Sequence, residues 1–192
     1  MTYGGVDQGR RRFLTATTTV VGAVGAAYVA VPFVTSWQPS ARAKAIGAPI
    51  TVDYSKIEPG QMVVFEWRGK PVYVLRRTED QVGGLTGLND ELKDPASETS
   101  EQPAYISGDA RSIRPEIAVL VGLCTHLGCA PKFRPEVGAA DLGGDKWLGG
   151  FFCPCHNAIF ARSGEVAQGP PPRPLDRYEA MVEDGQLYFK EA

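Results

Sequence analysis

Every cysteine and every histidine of this chain falls in one of two short blocks, Cys124-Thr125-His126-Leu127-Gly128-Cys129 and Cys153-Pro154-Cys155-His156. Four thiols and two imidazoles gathered in two loops form the pattern of a metal centre, because these side chains bind soft and borderline ions. A structural zinc takes four such ligands and leaves two residues over. A two-iron, two-sulfide cluster also takes four, and one Cys with one His from each block would supply them, both histidines on one iron. The remaining cysteine of each block could then join the loops as a disulfide. Residue types alone leave both metals open. A c-type haem is disfavoured, since the second block lacks the C-x-x-C-H attachment spacing.

The blocks resemble the two boxes of the Rieske iron–sulfur proteins, Cys-x-His-x-x-Cys and Cys-x-x-His with an internal Cys. The resemblance implies one Rieske-type 2Fe-2S cluster per chain. Cys124 and Cys153 match the ligands of its all-sulfur iron, His126 and His156 those of the other, and Cys129 with Cys155 the loop-tying disulfide. It runs over essentially the whole chain to the Rieske subunits of bacterial cytochrome bc complexes. It implies an oxidoreductase subunit that takes one electron and a coupled proton from quinol at His126 and His156, then passes the electron to a membrane cytochrome c. The implied partners are cytochrome b and that cytochrome, in a dimeric complex. Leu127 matches an apolar contact of the docking face. Gly169, Pro170 and Pro171, continuing to Pro174, match a proline loop that covers the cluster. A second reading is a stand-alone exported carrier, or the small subunit of another periplasmic oxidoreductase.

One stretch departs from the family. High-potential respiratory members continue the second box as Gly-Ser-x-Tyr, whose hydroxyls hydrogen-bond the cluster's sulfurs. Here it reads Asn157-Ala158-Ile159-Phe160, and Ala158 and Phe160 can donate no such bond. Each bond favours the reduced, more negative cluster by roughly 1–1.5 kcal/mol. Losing two, at about 59 mV per tenfold step, lowers the expected potential by on the order of 100 mV.

The elements that must position these residues read as all-β, with one helix ahead of them. Arg10-Arg11-Arg12 precede Phe13-Leu14, and residues 13–37 form a largely uncharged run long enough to cross a bilayer. The arginines resemble a twin-arginine export signal and place residues 1–12 in the cytoplasm. Retention as a single-pass anchor in the bacterial inner membrane is expected; cleavage at Ala41-Arg42-Ala43 is the alternative. Residues 38–49 are small, polar and Pro/Gly-punctuated, and read as a flexible hinge. Residues 50–192 then form the periplasmic domain, where a disulfide persists.

That domain is expected to be an antiparallel β-sandwich carrying a small cluster-binding subdomain over about residues 121–175. Strands are expected over Ile50–Tyr54, Met62–Trp67, Val72–Arg76, Ile117–Leu123, Tyr178–Val182 and Gln186–Phe189, the last two joined at Asp184-Gly185. A short helix is expected at Asp90–Lys93. Lys and Arg number 20 against 22 Asp and Glu, so there is no basic footprint for nucleic acid.

Overall fold

An acidic cap, a group of arginines and then a largely uncharged run make up the longest helix among the described residues. In the computed structural model, which describes residues 5–99, 103, 106, 108–178, 180–183 and 186–189, this helix is α1, Gln8–Thr35. The Asp7 carboxylate accepts the N–H groups of Gly9 and Arg10 at 2.9 and 3.1 Å, satisfying donors that a helix start leaves free. The helix therefore begins before residue 13 and takes in the arginines. It ends at Thr35, two residues short of Trp37. Its 28 residues span about 42 Å at 1.5 Å each, more than the ~30 Å of bilayer hydrocarbon. Mean hydropathy reaches 1.6 and no residue of it is buried. In the linker, Ser40 accepts from the N–H of Ala43 and starts a short helix, α2, Ala41–Ile46. The linker is thus partly helical rather than coil throughout.

The chain divides into two units, Met1–Ala45 and Ile46–Ala192. The second is built of antiparallel strands: β1 (Ile50–Asp53), β2 (Met62–Trp67), β3 (Lys70–Arg76), β4 (Ile117–Val121), β5 (Lys132–Arg134), β6 (Gly150–Cys153), β7 (Ala158–Ala161), β8 (Val166–Gln168), β9 (Ala180–Glu183) and β10 (Gln186–Phe189). They form three sheets, ordered β1-β10-β9, β2-β3-β4 and β5-β6-β7-β8. Arg68 and Gly69 both have positive φ (53° and 71°) and make the two-residue turn between β2 and β3, as right-twisting hairpins require.

The β2-β3-β4 sheet is the middle layer. Along β3, Val72 and Val74 face a core containing Trp67, Ile117 and Leu187, while Tyr73 and Leu75 face a second core containing Phe151, Phe160, Cys124 and Cys153. β4 alternates likewise, Ile117 to the first core and Ala118 and Leu120 to the second. A strand buried on both faces reads as a continuous apolar run, which is why Val72–Leu75 and Ile117–Val121 carry no polar alternation.

Two further expectations shift. The residues after β3 form a capped turn of helix, α3 (Glu79–Gly83), and a 3-10 helix at Thr86–Glu91. The helical turn expected over Asp90–Lys93 is the end of that 3-10 helix and stops at Glu91, and the Lys93 N–H donates instead to Val166 at 2.9 Å. The strand expected over Tyr178–Val182 starts at Ala180, and Tyr178 packs edge-on against Trp67 with ring centroids 4.6 Å apart. The turn Asp184-Gly185 lies outside the described residues, although Glu183 and Gln186 pair as its flanks should.

Charged side chains close the interior behind the cluster-binding sheet. Glu165 is 1% exposed, with Arg111 Nε at 3.1 Å and Arg177 Nη2 at 3.7 Å from one carboxylate oxygen. Burial pushes its carboxyl above the ordinary range, and the two guanidiniums pull it partly back. Arg77, buried close by, falls to about 10, through burial first and then the Arg177 charge. Replacing Glu165→Gln removes the negative charge that two buried guanidiniums share. It should destabilise the domain by about 3–5 kcal/mol, readable by urea denaturation.

Tyr73 crosses from the middle sheet to the cluster-binding layer, its hydroxyl donating to the Pro131 carbonyl at 2.8 Å. It passes over Gly122, where a Cβ would lie 2.2 Å from the ring. The substitution Gly122→Ala should therefore cost about 1–3 kcal/mol through overpacking. The same denaturation experiment checks it, and a neutral result would refute the crossing geometry.

Candidate metal centre

Both boxes sit at strand ends. β4 delivers the first, through Gly122 and Leu123, into a compact loop: Cys124 donates its N–H to Cys129 at 2.7 Å and Gly128 donates to Cys124 at 2.8 Å. Gly128 holds φ +82°, open to glycine without strain. The second box is the turn of the β6–β7 hairpin, between the paired residues Cys153 and Ala158. Asn157 closes that turn at φ +52°; Asn is among the few non-glycine residues that tolerate this region. The replacement of the family's glycine is conformationally benign.

The two loops are joined covalently. Cys129 and Cys155 form a disulfide across 26 residues of sequence. Cys124 and Cys153 remain free thiols, 3% and 1% exposed. The sulfurs of Cys129, Cys153 and Cys155 lie within 4.8 Å of one another, but two of them share the disulfide, so this trio is no ligand set. Across the loops, Nδ1 of His126 faces Nδ1 of His156 at 3.2 Å, with ring centroids 4.5 Å apart. Thiols lie inward and imidazoles outward; His126 is half-buried and His156 exposed.

This donor set suits a cluster with unlike ends. Two imidazole nitrogens facing at 3.2 Å share one proton or one ion. A tetrahedral ion with Zn-like bonds of about 2.0–2.1 Å spaces its donors roughly 3.4 Å apart. The two thiols interact with each other inside the apolar core. Burial pushes the Cys124 thiol up, while the N–H groups of His126 and Leu127 on its sulfur pull it down. Those N–H groups are aimed where a thiolate charge would sit.

The surroundings are equally ordered. Leu127 is 72% exposed beside the histidines. Ala158 and Phe160 are fully buried in β7, opposite Cys153 and Phe151. Directly opposed residues share a sheet face, so both stand on the Cys153 side. Gly169 has φ +102°, and a Cβ there would lie 2.7 Å from Ala158 Cα, so the loop's first residue lies flat on β7. Pro171 is buried and Pro170 exposed. At the far end, Thr125 Oγ1 donates to the Arg173 carbonyl at 2.5 Å. The expected residues are thus brought together. Sequence reading did not single out Tyr73, Gly122, Thr125, Lys93, Arg111 or Glu165 as supports.

Known proteins agree with this geometry. A family profile described as the Rieske [2Fe-2S] domain matches residues 49–179. Another, described as the ubiquitinol-cytochrome C reductase Fe-S subunit TAT signal, matches residues 1–40. The ubiquinol-cytochrome c reductase iron-sulfur subunit of Allochromatium vinosum is 51% identical over 171 residues, covering 89% of this chain and 82% of its own length. That of Blastochloris viridis is 38% identical over 175 residues, covering 88% and 87%. A solved structure described as a hyperthermophilic respiratory Complex III contains a chain similar at TM-score 0.50 and 29% identity, over 90% of this chain and 98% of that one. The match decides between zinc and a [2Fe-2S] cluster in favour of the cluster. By sequence, fold and donor set together, the chain belongs to the Rieske iron–sulfur subunits of the bacterial ubiquinol–cytochrome c reductases.

Proposed function

We propose that the chain carries electrons singly from quinol to a membrane cytochrome c, within a dimeric complex that also holds cytochrome b. The observation that carries this reading is the pair of outward imidazoles, Nδ1 facing Nδ1 at 3.2 Å, above two buried thiols. Cys124 and Cys153 would hold one iron and His126 and His156 the other. When bound, the cluster supplies a one-electron acceptor in the Rieske range of about −150 to +300 mV.

The chain's own residues do the rest. With both Nδ1 atoms turned inward, Nε2 of His126 and His156 are the nitrogens left to meet a quinol hydroxyl and hold its proton. Exposed Leu127 offers the quinol's apolar parts a contact at the same edge. The loop from Gly169 excludes water from the opposite side by lying on Ala158. The stand-alone carrier finds no support among the relatives above, which are subunits of the reductase.

We read α1 as a retained single-pass anchor in the inner membrane, with its arginines in the cytoplasm and the β-domain in the periplasm. Positive residues ahead of the span support that orientation, and so does the disulfide, which persists in an oxidising compartment. Residues 38–49 would be the hinge on which the domain moves between quinol and cytochrome; residues 38–46 are exposed throughout.

Titrating the reduced cluster's paramagnetic signal in the isolated membrane complex tests the proton role. The midpoint potential should fall as pH rises from neutral to alkaline, because proton release from Nε2 accompanies oxidation. A flat profile would remove the histidines from proton transfer. The same titration tests the second box: Ala158→Ser with Phe160→Tyr should raise the potential by on the order of 100 mV. An unchanged potential would mean that neither position acts on the cluster.

A further inference from the structure

The loop opened by Gly169 is held at both ends from the boxes, by Thr125 on Arg173 and by contact with Ala158. A third hold comes from far away in sequence. Lys93 Nζ donates to the Gly169 carbonyl across 76 residues. The backbone of Lys93 is already placed for it, since its N–H donates to Val166 at 2.9 Å on β8, the outer strand of the four-stranded sheet. The chain beyond Lys93 is anchored in turn. Arg111 donates to the Pro95 carbonyl and to Ser97 Oγ, the latter at 2.9 Å, while its Nε lies 3.1 Å from Glu165, the residue before Val166.

A lysine on the surface is ordinarily a solvated cation that gains little from any one contact. This one differs in two ways. Its main chain and its ammonium are bonded to the same stretch, Val166–Gly169, so little further freedom is lost in making the second bond. The bond is also charge-assisted, which makes it stronger than a neutral one. Its acceptor is a residue with no slack: Gly169 lies against Ala158, and Ala158 is paired with Cys153.

We propose that Lys93 is a positioning residue whose ammonium latches the proline loop down over the two boxes. The inference rests on the covering role given to that loop above. Two variants of the full chain in its complex test it, Lys93→Met and Lys93→Arg, with Pro171→Gly as a probe of the cover itself. The readouts are amide exchange at residues 167–169, the rate at which a chelator bleaches the cluster's visible absorbance, the melting temperature and the midpoint potential. Lys93→Met should speed exchange and bleaching several-fold while leaving the melting temperature at the parent value, since Lys93 is exposed. Lys93→Arg should restore both rates.

A lowered melting temperature with parental bleaching would overturn the latch in favour of a general contact. A shifted midpoint potential with parental exchange and bleaching would overturn it in favour of a mere nearby cation. Sensitivity to Pro171→Gly with none to Lys93→Met overturns the latch alone. Indifference to Pro171→Gly overturns the covering role and the latch with it.

Discussion

Two imidazoles from loops 30 residues apart face each other at 3.2 Å above two buried thiols, and much of the domain serves to hold that juxtaposition. Flexible loops would lose the entropy of ordering at the moment of cluster binding. Here most of that ordering is done beforehand by bonds that do not involve the cluster. The Cys129–Cys155 disulfide fixes the distance between the loops. The internal bonds of residues 124–129 and the β6–β7 pairing fix each loop's shape. Using two cysteines as a clamp frees the other two to point inward and leaves the imidazoles at the edge. One covalent bond thereby sorts six soft side chains into their two roles.

A clamp at the tip needs a base that does not shear beneath it. The middle sheet provides this by being buried on both faces, so that β3 and β4 belong to the sandwich and to the cluster-binding layer at once. Tyr73 illustrates the coupling. Its backbone sits in the middle sheet, its ring packs on Phe151, and its hydroxyl holds the Pro131 carbonyl just past the first box. Gly122 is the complement of that ring, a position where absence of a side chain makes the crossing possible. The Arg111–Glu165–Arg177 group does similar work from behind. A buried ion group is weak evidence for added stability, but it ties residues 95–97, 111, 165 and 177 to one another wherever it forms.

The two boxes, the long apolar helix and the six strands β1–β4, β9 and β10 are legible in the sequence because each rests on local information, whereas β5–β8 are not. Residue type and spacing reveal the boxes, and hydropathy over a window reveals α1. The supports were not legible, for the opposite reason. Lys93 bonds Gly169 across 76 residues and Tyr73 bonds Pro131 across 58, and nothing near either residue announces its partner. The early stop, at Glu91, of the helical turn expected over Asp90–Lys93 has the same origin. Local helical preference was overridden at Lys93 by a bond to a strand that is contiguous only in space. The early start of α1 is different, since it rests on the local Asp7 cap and not on a distant partner.

Ala158 and Phe160 join the cover to the chemistry. Both lie in the same apolar core as Cys124 and Cys153, with Phe151 and Tyr73. An apolar, low-dielectric surrounding disfavours added negative charge, and reduction of a cluster adds such charge. In the family pattern two hydroxyl donors offset this effect. Here the offset is absent while the burial remains, so dielectric and hydrogen bonding push the potential in the same direction. The tight seat of Gly169 on Ala158 strengthens the burial, because the backbone contact leaves no room there for ordered water. The lowered potential proposed above would in this sense belong to the whole wall around the thiols, including the loop that lies on Ala158.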